Sequence, residues 1–561
     1  MAVKKAYFIG ICGAGMSATA KLLLDFGWQV SGSDDNFYPP VSTYLDEHHI
    51  PVVKGYNEQN ILADVGLIVI GKNARLTPEK NAEVKKAFES NVPIKSFPEV
   101  LGELSHGHEN IVIAGSYGKS TCTALIAWAL ECAGKNPSYF IGAIPKTPSE
   151  SSKKGSGKIF VLEGDEYPTS NWDTKSKFLY YHPSHLLLTS LTHDHLDIYK
   201  TPEDYRAPFK KLIALTPPHG IIVACGDGEG LREELNGDSR VVWYSIKENA
   251  DWTIKNLALE EKTSFSITHK GRAIASIRTS LLGMHNIENI LGAGALLLSL
   301  DLVTPKQFEK AMETFKALDR RLDKKSEATS VPAYEGFGSS YTKARSAIEA
   351  IRLHFPNRLL TVIFEPYTFS WQNRDVIHWY DTVFKDCNNV LIYKPPGENR
   401  TESWQLKLID ILDRVQKTGL TVGGFETPED GLTILKKYVK NNSVILILSS
   451  GGFGGFIDMA VNWTEKEFLP ILSPTQSEPQ NRGSSIFQPR QGGGKIGTKS
   501  RRNFQVNLHR IIKAILLDTQ IIVSRKKVTK FLIFMLPDTC LIREARGLKM
   551  CFIWPEAPVF L

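Results

Sequence analysis

Short apolar runs alternate with segments of helical spacing along most of the chain. The first unit spans residues 5–34. "AYFIGI" is β-prone, "CGAGM" turns the chain, "SATAKLLLDFGW" repeats its apolar positions at helical spacing, and "QVSGSD" reads as a second strand ending at Asp34. The alternation continues through "VGLIVIGK", a helix near Pro78–Ser90, and "VPIKSF". A second α/β region begins at "ENIVIAGS" and runs past "FVLEGDE", "HLLLTSLT" and "HGIIVACGD". A third takes in "NRLLTVIFEP", "NNVLIYK" and "NSVILILSSGGFGG". At 561 residues the chain is too long for one core. The pattern predicts an α/β protein with doubly wound sheets, its domains covering residues 1–105, 106–325 and 326–465, with a tail over 466–561.

Beyond about Pro470 the periodicity lapses. "SPTQSEPQNRGSSIFQPRQGGGKIGTKSRRN" is rich in Ser, Pro, Gln and Gly and is expected to be disordered. "LHRIIKAILLDTQIIV" could form a short helix, and the final "FLIFMLPDTCLIREARGLKMCFIWPEAPVFL" follows no usable period. That last stretch reads either as a membrane-surface or partner segment or as an extension without function, such as read-through past a natural end.

Charge changes the picture only in the tail. The whole chain carries +7, yet residues 475–561 alone hold 15 Lys/Arg against 5 Asp/Glu, so the remainder is slightly acidic. The main body therefore gives no reason to expect nucleic acid as a partner, and membrane contact is left to the basic tail. No apolar run is long enough to span a bilayer. The start "MAVKKAYFIGICGAGMSATAK" has signal-peptide cues, but the helix and strand that continue from it explain it as folded structure. Seven scattered cysteines without CxxC spacing fit reduced thiols and a cytoplasmic protein.

Five stretches carry candidate chemistry. "GSYGKST" (Gly115, Ser116, Tyr117, Gly118, Lys119, Ser120, Thr121) follows a predicted strand and opens a predicted helix, the context a phosphate loop requires. Its glycines let backbone N–H groups turn toward an anion, Lys119 would bridge phosphate oxygens, and the Ser120 hydroxyl would ligate Mg²⁺. The loop is compact, with Gly115 only three residues before Gly118. "GICGAGMSATA" holds Gly13, Ala14, Gly15 and Met16 at a second strand–turn–helix junction, with Asp34 after the next strand. It suits a nucleotide pyrophosphate without choosing among NAD, FAD and a UDP-sugar; helix–sheet packing would need the same glycines. "FVLEGDEYPTSNWD" and "LTSLTHDHLDIY" put Glu163 and His195 just past strand ends, where they could join Ser120 around a metal, although a histidine there also serves as a surface or capping residue. "LGMHNIENILGA" puts Asn286 and Asn289 on one helix face, as caps or as a base-recognition surface.

Taken in order, "GICGAGM", "GSYGKST", "LEGDEY", "DHLD", "GMHNIEN", "DRRLD" and "GGFGG" resemble the Mur ligases, the ATP-dependent family that joins amino acids or peptides to UDP-N-acetylmuramic acid. The likeness covers roughly residues 5–460. It implies a Rossmann-like UDP-binding domain, a central P-loop ATPase domain, and a C-terminal Rossmann-like domain that holds the peptide. It implies that Gly115, Gly118, Lys119, Ser120 and Thr121 hold ATP, that Glu163 and His195 bind magnesium, that Asn286 and Asn289 lie on the adenine side, and that Arg321 of "RRLD" contacts ATP phosphates. A monomer or weak dimer is expected. "GSDDNFYPPVSTYLDEHHI", "EYPTSNWDTKSKFLYYHP" and "SSGGFGGF" are most similar to the murein peptide ligase branch, which reattaches the recycled tripeptide L-alanyl-γ-D-glutamyl-meso-diaminopimelate to UDP-N-acetylmuramate. The alanine-adding branch is the near alternative.

The chain also departs from the family pattern. Ser190 stands where an asparagine is usual, "EGFGSSY" replaces Asp-Asp-Phe-Ala-His-His-Pro so that Gly336, Ser339 and Ser340 take the acid and histidine positions, and Tyr367 replaces an arginine. These changes motivate a second class of reading, a nucleotide-binding pseudoligase. A nicotinamide oxidoreductase built on the first glycine turn leaves "GSYGKST" unexplained, and a folylpolyglutamate synthetase-type ligase leaves the UDP-type first domain unexplained.

Overall fold

The computed structural model describes residues 4–469, apart from 196–197, 248–249, 317–320 and 398–403, and the backbone of three strands within 532–551. The expectations for residues 470–531 lie outside the described residues. The first sheet is wholly parallel. Its strands Lys5–Ile9, Gln29–Asp34, Val52–Lys54, Leu67–Ile70 and Ile94–Lys95 are ordered third, second, first, fourth, fifth. Phe8, Ile9, Ile68 and Val69 are fully buried, as continuous apolar strands are when helices cover both faces of a sheet.

The second sheet has ten strands. Glu109–Ala114 runs parallel between Ile159–Glu163 and His185–Leu188, with Ile222–Cys225 and Val241–Tyr244 beyond. Three long strands, Trp252–Leu259, Thr263–His269 and Arg272–Thr279, extend it as an antiparallel meander that the apolar runs alone had not predicted. The third sheet is parallel over Ala333–Gly336, Ser443–Leu448, Leu359–Phe364, Asn389–Tyr393 and Thr421–Phe425. Its antiparallel edge strand is Arg321–Lys324, so the third sheet begins before the expected cut at residue 326 and Arg321 belongs to it. The last helix of this unit is Phe456–Glu467. Taken by themselves, the strands Leu532–Leu536, Thr539–Glu544 and Gly547–Cys551 form an antiparallel sheet. Among the described residues no helix is long and apolar enough to cross a membrane.

Side chains tie the lobes of the main unit together. Lys21 on the helix Ala14–Asp25 is buried, pairs with Asp25 at 2.9 Å, and donates to the Ser152 carbonyl at 3.0 Å. His354, which ends the helix Tyr341–His354, accepts from the Gly283 N–H at 3.0 Å through Nε2 and lies 2.7 Å from the Glu260 carbonyl through Nδ1. Both contacts are satisfied only by the neutral, Nδ1-protonated ring. Burial holds His354 below the ordinary histidine value of 6.5. The unfolded chain therefore binds the extra proton first, and the contribution of His354 is complete above that value and lost as pH falls below it. The expected result is a lower melting temperature at pH 5.5 than at pH 7.5, with the gap narrowed by His354→Gln. An unchanged gap would exclude His354 as a source of the acid sensitivity.

Candidate active site

Three neighbouring parallel strands end side by side, and each delivers one part of a site. The loop Gly115–Gly118 follows the central strand, Glu163 ends one neighbour and leads into Gly164–Glu166, and Ser190–His195 follows the other. This is the carboxyl edge where open α/β sheets receive ligands.

The loop needs glycine for steric reasons. Gly115 has φ +134°, and a Cβ there would lie 2.2 Å from Thr189 Oγ1 and 2.9 Å from the Ser190 backbone. Gly118 has φ +79°, caps the helix Lys119–Cys132, and would push a Cβ to 2.4 Å from Asn289 Oδ1. Side chains of the loop hold it in place. Ser116 Oγ donates to the Thr192 carbonyl at 2.6 Å, and Thr189 Oγ1 donates to the Tyr117 carbonyl at 2.5 Å. The Tyr117 ring itself is exposed.

Lys119 Nζ donates to the Gly115 carbonyl at 2.7 Å and to Glu166 Oε2 at 2.9 Å. Ser120 Oγ donates to Glu163 Oε1 at 2.8 Å, while Glu163 Oε2 accepts the Gly142 N–H at 2.6 Å. Burial raises the Glu163 carboxyl above its usual range against the opposing pull of these donors. A buried carboxylate whose hydrogen-bond donors are a neutral hydroxyl and a neutral amide suits a divalent cation with oxygen ligands, so Ser120 and Glu163 fit magnesium. His195 Nε2 lies 3.0 Å from Glu166 Oε1, a pairing that raises the imidazole above its usual value and leaves Nδ1 as the nitrogen for a cation.

Asn289 is buried against the loop, accepting from Cys122 Sγ at 3.4 Å, whereas Asn286 Nδ2 donates to the Leu282 carbonyl at 2.8 Å within its own helix start. Arg321 reaches across from the third sheet and donates to Thr121 Oγ1 at 3.3 Å. Asp319 and Arg320 of "DRRLD", and Leu196 and Asp197 of "DHLD", lie outside the described residues.

The first glycine turn belongs to the first sheet. Gly13 caps the helix Ala14–Asp25, Gly15 lies under the Phe97 ring, and Met16 points into the core. The Asp34 carboxylate accepts from the Cys12 N–H at 2.9 Å, the Asn36 N–H at 3.0 Å and the Tyr56 hydroxyl at 3.4 Å. Asp34 thus holds the turn, and the turn itself offers a ligand the N–H groups of the first helical residues.

The departures from the family pattern serve local structure. Ser190 Oγ lies 2.7 Å from Thr192 Oγ1, Ser340 caps the helix Tyr341–His354, and Ser339 Oγ accepts from Lys343 Nζ at 3.3 Å. Gly336 closes its strand against Leu448, and Tyr367 is exposed. Two residues of the site were missed. Glu166 stands in the motif "LEGDEY", but sequence cannot tell which of its three acids turns inward; Tyr205, whose hydroxyl donates to Ser116 Oγ at 3.0 Å, gives no sequence signal.

Comparison with known proteins finds relatives along most of the chain. Residues 5–109 match the model described as Mur ligase family, catalytic domain, and residues 113–297 match the Mur ligase middle domain. The chain is 30% identical over 471 residues to UDP-N-acetylmuramate–L-alanine ligase of Aquifex aeolicus, covering 83% of this chain and 97% of that one. It is 27% identical over 454 residues to UDP-N-acetylmuramate–L-alanyl-gamma-D-glutamyl-meso-2,6-diaminoheptandioate ligase of Escherichia coli, covering 80% and 96%. The crystal structure of UDP-N-acetylmuramate–alanine ligase from Thermotoga maritima superimposes with a TM-score of 0.64 at 21% identity, over 82% of this chain and 99% of that one, and shares the fold.

Proposed function

The chain belongs to the Mur ligase family, and we infer that it is an ATP-dependent ligase that joins the tripeptide L-alanyl-γ-D-glutamyl-meso-diaminopimelate to UDP-N-acetylmuramate. The observation that carries the ligase reading is the convergence of Lys119, Ser120 and Glu163 behind the strand ending at Ala114.

The muramic carboxylate attacks the γ-phosphorus of ATP, ADP departs, and the acceptor's amine then displaces phosphate from the acyl phosphate. A carboxylate is a poor acyl donor because its oxide leaves badly, and phosphorylation supplies a better leaving group. The first step brings two anions together, so fixed positive charge is the main catalytic requirement. Lys119 supplies it from a position fixed by two acceptors, and the loop amides add to it. A magnesium ion held by Ser120, Glu163 and His195 would supply further charge beside the phosphate oxygens. Arg321, carried by the third sheet, links the nucleotide loop to the lobe that receives the acceptor.

The peptide acceptor is supported by a cavity of about 420 Å³ at the carboxyl ends of the third sheet's strands, lined by Glu365, Tyr393, Lys394, Lys407 and Glu426 among others. Sites for small molecules run from about 300 to 1,000 Å³, so this one has room well beyond a methyl side chain. Lys394 and Glu426 pair with each other there at 3.2 Å, and on parting they would meet a carboxylate and an amine, the groups a diaminopimelate residue presents. The Aquifex relative favours L-alanine as a second reading.

Phosphate release with UDP-N-acetylmuramate and either acceptor separates them. The tripeptide should exceed L-alanine in kcat/KM by about tenfold or more, since one charged hydrogen bond contributes roughly 1.5–3 kcal/mol. An advantage for alanine assigns the chain to the alanine-adding activity. Nucleotide binding without acceptor-stimulated release makes it a pseudoligase.

A further inference from the structure

Glu166 has no solvent-exposed surface, yet two donors from different segments reach its carboxylate and a tyrosine hydroxyl lies beside them. Lys119 Nζ lies 2.9 Å from Oε2 and 3.3 Å from Oε1, His195 Nε2 lies 3.0 Å from Oε1, and the Tyr205 hydroxyl lies 3.3 Å from Oε1. The residue's own backbone is fixed as well, because the Tyr199 hydroxyl donates to its carbonyl at 2.5 Å. The His195 ring is held from the side by Tyr167, with centroids 4.2 Å apart.

This is more order than charge neutralisation requires. A lysine alone would balance a buried carboxylate. Here the same group also accepts from an imidazole, which fixes the proton on Nε2 and leaves the lone pair on Nδ1. A carboxylate that accepts from one ring nitrogen while the other faces a cation is the arrangement that orients metal-bound histidines and raises their basicity. The Tyr205 hydroxyl gives its proton to Ser116 Oγ of the nucleotide loop at 3.0 Å and packs beside the carboxylate, so the anchor of lysine and histidine lies against the loop.

We propose that Glu166 is a positioning residue for phosphoryl transfer: its buried carboxylate sets the Lys119 ammonium and the His195 imidazole in fixed register and selects the Nε2–H tautomer. The proposal rests on the ligase reading above. Glutamine is the informative replacement. Its amide keeps one acceptor but must aim N–H hydrogens at one of the two donors, so the shared anchor fails while the volume is kept. Aspartate keeps the charge and shortens the reach.

The test uses the full chain and an N-methylanthraniloyl derivative of ATP as probe, with MgCl₂ or with EDTA. Glu166→Gln should bind the probe in EDTA within about threefold of wild type. It should lose about tenfold or more of the tightening that magnesium gives, and raise the magnesium concentration for half-maximal phosphate release by a similar factor. KM for UDP-N-acetylmuramate should stay unchanged, and Glu166→Asp should recover part of the loss. Wild-type magnesium dependence in Glu166→Gln overturns the proposal. So does a loss spread equally over all substrates with aspartate no better than glutamine, which would assign Glu166 to the fold alone. Two-bond ¹⁵N–¹H correlation of histidine-labelled wild-type protein tests the tautomer without any variant, and a neutral His195 ring with its proton on Nδ1 overturns the proposal whatever the variants do. Failure of wild type to bind the probe would defeat the ligase reading instead, leaving the tautomer measurement to decide the role of Glu166.

Discussion

Lys119→Ala should lower ligation by at least about 10²-fold, the effect of losing roughly 3 kcal/mol of charge stabilisation in the transition state. Phosphate release in the presence of both substrates measures it. Lys119 is also the cation beside a fully buried Glu166, so the same substitution should reduce stability. Breaking a buried pair by removing one partner costs about 3–5 kcal/mol, because the other charge is left behind. The two effects separate in the double variant Lys119→Ala/Glu166→Gln, which should regain stability to denaturant without regaining ligation. Turnover near wild type in Lys119→Ala would remove the phosphate loop from the chemistry altogether.

Gly115→Ala should abolish measurable nucleotide binding while the protein still folds. The added methyl would sit 2.2 Å from Thr189 Oγ1 and 2.9 Å from the Ser190 backbone, on a residue with φ +134°. Strain of this kind costs about 1–3 kcal/mol before any clash is counted. The chain can relieve it only by moving the loop off the strand ends, which unmakes the anion site. A loss of about 3 kcal/mol in binding is more than a hundredfold in dissociation constant. Far-UV circular dichroism should be unchanged. A variant that binds the fluorescent nucleotide normally would mean that phosphates are held elsewhere.

The parallel strands were legible because their burial makes them continuous apolar runs: "ENIVIA", "LLTVIF" and "SVILIL" contain the central strands of the second and third sheets. The meander Trp252–Thr279 was not, since its strands face water on one side and mix polar with apolar positions. A cue was present at Lys270 and Gly271, which both take positive φ in the turn between two of these strands. The edge strand Arg321–Lys324 escaped for another reason: "RLDK" is charged, and only its pairing with Ala333–Gly336 makes it a strand. At the site, the residues at each strand end could be named from order and spacing. Their mutual arrangement could not. Nothing in the sequence says that Glu163 turns to Ser120 while Glu166, three residues on, turns to Lys119 and His195. That division depends on how the chain leaves the strand at Glu163, which only tertiary packing decides.

Arg321 sits on one sheet and bonds a residue that opens a helix of another. Energetic linkage follows from that bridge. Whatever factor an acceptor in the third lobe adds to nucleotide affinity through Arg321, the nucleotide must return to the acceptor undiminished. Order of addition would then alter rates of assembly but leave the ternary complex equally stable by either route.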